Sequence, residues 1–210
     1  MDLKTLKFAI KNLFYFYFRK SDIKMDVYQK NLIEVREKGY SIIENYFLPE
    51  VCKKICEDIR NLMLDKNNKV WISDSLDSRF WSFEKFSTEA KNFLNDENLL
   101  KLIKKYECQK EMIFLTTLCS NIKFIENSKG SGGGWHRDRT FYKYKYTKIL
   151  TYLNSVDEKN GPFQYLEKSH LFKNIVKANN VLKNEYSDKW FTNYQVKKVS
   201  EKIGLKIVTI

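Results

Sequence analysis

Hydrophobic positions change their spacing along this chain, and the change divides it into two parts. In the opening stretch, Leu3, Leu6, Phe8, Ile10, Leu13, Phe14, Phe16 and Phe18 alternate with Lys4, Lys7, Lys11, Arg19 and Lys20. That spacing suits a basic amphipathic helix over residues 3–20. Further on, Tyr40 to Ile43 reads as a short strand reached through Gly39, and Pro49 opens a helix whose apolar positions Val51, Ile55, Ile59 and Leu62 recur to about Leu64. Proline suits a first helical turn because the N–H it lacks would have no partner there. A second helix is predicted over Thr88 to Tyr106, with Ala90, Phe93, Leu99, Leu100 and Ile103 facing inward.

From Met112 onward the apolar residues come in short β-branched and aromatic runs, at 112–119, 121–126, 147–153, 163–166 and 205–210. Such runs predict strands. Helices first and strands afterwards indicate an α+β protein in which helices buttress an antiparallel sandwich or barrel. A domain over residues 31–210 preceded by a helical appendage over residues 1–30 fits this division. With 210 residues and 43% hydrophobic content the chain can bury one substantial core.

Composition refines the picture. Lys and Arg exceed Asp and Glu by 38 to 26, a net charge of +12, but the lysines are spread along the whole chain. Dispersed lysine reads as a solvated surface, and with no recognisable nucleic-acid motif it argues against nucleic acid as a partner. Two roles are open to residues 3–20: docking on an anionic membrane surface, or packing their aromatic side on the domain or a partner subunit. The second is preferred, and the stretch is too short and too charged to span a bilayer. The four cysteines, Cys52, Cys56, Cys108 and Cys119, contain no CxxC pair and read as buried free thiols of a reducing compartment. Without a secretory h-region at the start, a cytoplasmic protein is expected, with peripheral membrane contact as its only link to a bilayer.

Chemistry concentrates at one place. The chain has 2 histidines, His136 and His170, and the first lies in Trp135-His136-Arg137-Asp138. Residues i and i+2 of a strand project from one face, so an imidazole nitrogen and a carboxylate oxygen can reach one ion together. That is two thirds of a 2-His-1-carboxylate set, which leaves positions on Fe(II) open for a cosubstrate and dioxygen. Alone, H-x-D is a weak signal and is met more often as a surface ion pair. Its flanks strengthen it: Gly130-Ser131-Gly132-Gly133-Gly134 precedes as a flexible loop, Lys148 to Asp157 reads as a buried strand, and Glu158 to Pro162 as the turn that starts another.

These features together resemble the phytanoyl-CoA dioxygenase-like branch of the Fe(II)/2-oxoglutarate oxygenases. The resemblance rests on G-W-H-R-D at 134–138, on L-T-Y-L-N-S-V-D-E-K-N-G-P-F-Q-Y-L at 150–166, on Ser169-His170, and on Gly39-Tyr40 through Leu48-Pro49-Glu50. It implies a double-stranded β-helix (a jelly-roll, cupin-like core) with helices packed outside it, iron held by His136 and Asp138, and 2-oxoglutarate as cosubstrate. The implied reaction hydroxylates a small-molecule, lipid or sugar substrate. In that family the histidine of the Ser-His pair is not generally a ligand, so His170 is expected to be structural. Glu201 to Ile210 looks like the strand leading up to the distal histidine, and no histidine follows His170. The last strands of the barrel, the third ligand and the arginine that grips 2-oxoglutarate are therefore expected to be missing. Three explanations stand in order of preference: a piece of a longer protein, a degenerate chain without activity, and His170 moving in as a substitute ligand. The alternative function is accordingly an inactive binding module. For cosubstrate, Lys148 and Thr151 are the candidates, of which at most one faces inward if their segment is a strand; a solvated surface charge at Lys148 and an ordinary sheet residue at Thr151 fit the sequence equally well. Trp135 and Tyr142 are candidates for lining the substrate pocket, and both are equally compatible with plain core.

Overall fold

The computed structural model describes residues 27–72, 77–108, 115–122, 134–138, 147–185 and 188–210. The basic stretch at residues 3–20 and Tyr142 lie outside the described residues. The helices are α1 (Gln29–Lys38), α2 (Pro49–Leu64), α3 (Thr88–Leu94), α4 (Glu97–Glu107), α5 (Phe172–Leu182) and α6 (Asn193–Ile203). The strands are β1 (Trp71–Ile72), β2 (Asp77–Trp81), β3 (Leu118–Ile122), β4 (Trp135–His136), β5 (Gln164–Leu166), β6 (Trp190–Phe191) and β7 (Ile207–Thr209). Every described ladder is antiparallel: a sheet ordered β1-β2-β3, and the pairs β4-β6 and β5-β7. The chain is α+β as expected; among the described residues these three sheets do not join into a closed barrel.

The principal core forms where α2 covers one face of the three-stranded sheet. Ile55, Ile59 and Leu62 recur on one side of α2 and meet Phe83, Ala90 and Cys119, with Phe80, Val51 and Leu153 packed around them. Period 2 explains the sheet's share: Phe80 and its register partner Cys119 point inward, whereas Trp81 and its partner Leu118 are exposed. On the outer face Asp77 is buried beneath an ion pair with Arg79, whose guanidinium lies 5.1 Å over Trp71. All four cysteines are free, and burial pushes the Cys119 thiol up to about 11, which keeps it protonated and inert. Elsewhere α1 packs on α4, burying Leu32 against a face that carries Leu99 and Ile103, and α5 packs on α6. Among the described residues, no helix is long and apolar enough to cross a membrane.

Several predicted elements take a different form. The single helix expected over Thr88 to Tyr106 is two, because Asp96 leaves the helical path and caps a new one, accepting from the N–H groups of Asn98 and Leu99 and from the Tyr46 hydroxyl. Residues 40–43 belong to no described strand; the side chain of Asn31 bonds Ser41 Oγ and the Ile42 carbonyl, so α1 holds this segment through side chains. Residues 147–153 are likewise not a strand among the described residues, and Leu150 is 61% exposed where burial was expected. Tyr152 ties this segment down instead, its hydroxyl accepting from the Phe163 N–H at 2.7 Å. Two helices, α5 and α6, stand in the part expected to be strand-rich. The buried face of α5 carries Asn174 and Asn179, which breaks its apolar period.

Gly39 ends α1 at φ +95°, a region that favours glycine. A Cβ there would collide with the His170 ring and the Tyr165 hydroxyl, so a hydrogen at this position is what lets the β5 region close on α1.

Candidate functional site

The Trp-His-Arg-Asp segment is held from both sides of its backbone. Strand β4 pairs with β6 in the register Trp135↔Phe191 and His136↔Trp190, and the Arg137 N–H donates to the Lys189 carbonyl at 2.8 Å. Side chains leave alternately, so His136 and Asp138 share one side while Arg137 takes the other. There the Arg137 guanidinium lies 4.8 Å over the Phe191 ring and donates to Asn179 Oδ1 at 3.1 and 3.2 Å. Arg137 thus fastens the segment to α5 from behind, leaving the imidazole and carboxylate to face outward.

On the front side the chemistry is set by hydrogen bonding. Gly134 adopts φ +94°, a left-handed conformation that glycine reaches without strain, and its carbonyl accepts from His136 Nδ1 at 2.8 Å. A carbonyl only accepts, so Nδ1 donates there and the ring turns Nε2 forward. Nε2 lies 3.2 Å from Asp138 Oδ1, within hydrogen-bond reach. Two donors about 2.1 Å from one octahedral ion and at right angles to each other stand about 3 Å apart, so the observed separation fits a shared divalent cation. The outer oxygen, Oδ2, is held by the Lys148 ammonium at 2.8 Å. The Trp190 ring, 61% exposed, lies against the imidazole with centroids 5.1 Å apart and forms the wall beside it.

Of the other candidates from sequence, Lys148 is brought to Asp138, whereas Thr151, three residues on, is half-buried in a segment that is not a strand. Trp135 precedes His136 on β4 and therefore leaves the strand on the opposite side; the aromatic beside the imidazole is Trp190. His170 Nε2 bonds the Arg36 carbonyl at 3.1 Å and its ring lies against Gly39, which places it at the C-terminal end of α1. That engagement gives His170 a packing role and accounts for its position without a metal. Among the described residues, no group of three His, Cys, Asp or Glu side chains converges on one point. The pair His136 and Asp138 therefore fits a ferrous ion by donor type and separation, as a two-ligand set.

Three parts of the site were missed by sequence reading. Trp190 pairs across from His136 only through the β4-β6 ladder, Asn179 reaches Arg137 across 42 positions, and the Gly134 carbonyl is backbone. Only the last left a trace, as a glycine next to the motif.

A curated protein from Stutzerimonas stutzeri described as a probable alpha-ketoglutarate-dependent hypophosphite dioxygenase is 29% identical over 153 residues, covering 65% of this chain and 51% of the relative. The chain thus spans about half the length of the curated relative it matches. No solved structure matches. The family described as phytanoyl-CoA dioxygenase matches residues 35–202, a range that contains the His-x-Asp pair, Lys148 and the helix α5 that holds Arg137. The chain belongs to the phytanoyl-CoA dioxygenase family.

Proposed function

We propose that this chain carries the metal-binding part of an Fe(II)/2-oxoglutarate-dependent dioxygenase acting on a small molecule, with His136 Nε2 and Asp138 Oδ1 as iron ligands. The observation that carries the reading is the 3.2 Å approach of those two atoms with the Nδ1 proton already committed to the Gly134 carbonyl. Family membership and the relative described as alpha-ketoglutarate-dependent support 2-oxoglutarate as cosubstrate and a double-stranded β-helix as the complete fold. When bound, the iron and its cosubstrate supply the oxidising chemistry: dioxygen is reduced while 2-oxoglutarate loses CO2 to become succinate and a substrate C–H becomes C–OH.

The chain's own contribution is positioning. Gly134 fixes which imidazole nitrogen points forward, and the Arg137 contacts with Asn179 and Phe191 stop the segment from rotating. The exposed Trp190 ring offers substrate an apolar surface beside His136. Of the two cosubstrate candidates Lys148 is engaged by Asp138, which leaves Thr151, on the same segment, to meet the cosubstrate. Anaerobic Fe(II) binding and succinate formation from 2-oxoglutarate test the assignment: His136→Ala is expected to abolish both, and unchanged turnover in that variant would contradict it.

A second reading rests on the two-ligand set. If the chain is an inactive binding module, it holds no Fe(II) tightly, and stoichiometric Fe(II) in the wild-type chain would refute it.

A further inference from the structure

We infer that Lys148 is a positioning residue that makes Asp138 a one-oxygen ligand. The inference rests on the proposed iron site and deepens it. A carboxylate has two oxygens of equal basicity, and a cation placed before it can be held by either one or both. Chelation by both would occupy two of six positions. Once the third protein ligand of a complete 2-His-1-carboxylate set is in place, the position lost is one that cosubstrate or dioxygen needs.

The structure resolves this choice. Oδ2 accepts from the Lys148 ammonium at 2.8 Å, a length typical of a charge-assisted hydrogen bond, while Oδ1 faces His136 Nε2 at 3.2 Å. The arrangement repeats what is seen at the imidazole. In both ligands the far polar atom is clamped, Nδ1 by the Gly134 carbonyl and Oδ2 by Lys148, and the near atom is presented forward. Both clamps lie outside the His-x-Asp motif itself.

The Lys148 side chain is 58% exposed, so its Coulombic attraction is largely screened by water. Its effect comes from occupying the Oδ2 lone pairs. The segment that delivers it is fixed at its far end, where Leu153 packs against the principal core and Tyr152 bonds the Phe163 N–H. Lys148 therefore reaches Asp138 from a segment with its own anchorage, and its clamp does not depend on the β4-β6 ladder.

Cobalt(II) is the probe, because its d–d absorption reports coordination number and can be read without cosubstrate or turnover. Wild-type chain and the variants Lys148→Met, Lys148→Arg and His136→Ala are titrated anaerobically with Co(II) in the absence of 2-oxoglutarate. The expected result is that Lys148→Met still binds Co(II) but with shifted d–d bands, as the freed Oδ2 joins the ion, and that Lys148→Arg retains the wild-type spectrum. A wild-type spectrum in Lys148→Met, with binding still lost in His136→Ala, would overturn the positioning role alone. If Lys148→Met then weakened only 2-oxoglutarate binding, Lys148 would be a cosubstrate contact instead. Co(II) binding that is absent in the wild type, or indifferent to His136→Ala, would overturn the iron site itself.

Discussion

Asp138→Ala is expected to lower divalent metal affinity more than about 100-fold while leaving the fold intact. Losing a partner one step removed from a metal costs about 10–100-fold, and this substitution removes a ligand outright. It also changes the local charge. Asp138 and Lys148 cancel in the native site, whereas the variant leaves the ammonium, which had been 2.8 Å from Oδ2, beside the incoming cation. The ammonium is 58% exposed, so water screens most of this repulsion and the missing ligand accounts for most of the loss. Asp138→Asn keeps a neutral oxygen in place and should fall between the wild type and the alanine variant. Stability should barely move, because the carboxylate is 39% exposed and an exposed ion pair is worth about 0–1 kcal/mol. Anaerobic calorimetric titration beside a denaturant melt separates the two effects; equal metal affinity in Asp138→Ala would remove the carboxylate from the site.

Phe83→Ala is expected to cost about 3–5 kcal/mol, the largest stability loss from a single truncation among the described residues. Phe83 is 3% exposed and sits in a single 3-10 turn (Phe83–Lys85) directly after β2, where it joins α2, α3 and β3. Removing its ring opens a cavity between Ile55, Ile59, Leu62, Ala90 and Cys119. A domain of this kind is stable by about 5–15 kcal/mol, so the loss is about a fifth of the total or more. Trp81, two residues earlier, is the control: it is larger but 49% exposed, and its truncation should cost about 1 kcal/mol or less. Urea melts of both variants check the difference, and equal losses would show that the core has been misplaced. Leu153 packs on the same cluster, so Phe83→Ala should also loosen the segment that carries Lys148, weakening the site without touching it.

What could be read from sequence follows the range of the interactions. His136 and Asp138 were legible as a pair because residues two apart in an extended segment lean to one side without tertiary help; β4 itself ends at His136, and Nε2 and Oδ1 stand 3.2 Å apart. The apolar period of α2 was legible for the same reason, since all its buried residues lie within one helix. Lys148 was legible as a functional candidate but not as the partner of Asp138, because nine residues of intervening chain separate them. Helix α5 was hidden by its own function: Asn179 is buried to accept from Arg137, and Asn174 to bond the Lys168 carbonyl, so two polar residues occupy the face that apolar spacing would reveal. The break between α3 and α4 was written in Asn95-Asp96, a helix stop followed by a strong N-cap, which an apolar period running past it masks. The strand expected over residues 147–153 has β-prone residues, yet β propensity expresses packing on neighbours, and Leu150 and Ile149 are exposed here.

The central claim is that one divalent ion sits between a particular nitrogen and a particular oxygen. Crystals of the chain grown anaerobically with Mn(II), a redox-stable stand-in for Fe(II), and measured at the manganese absorption edge would locate it directly. The account predicts one anomalous peak about 2.2 Å from both His136 Nε2 and Asp138 Oδ1, with Oδ2 still on Lys148. A peak at any other place, or none at saturating Mn(II), would contradict it.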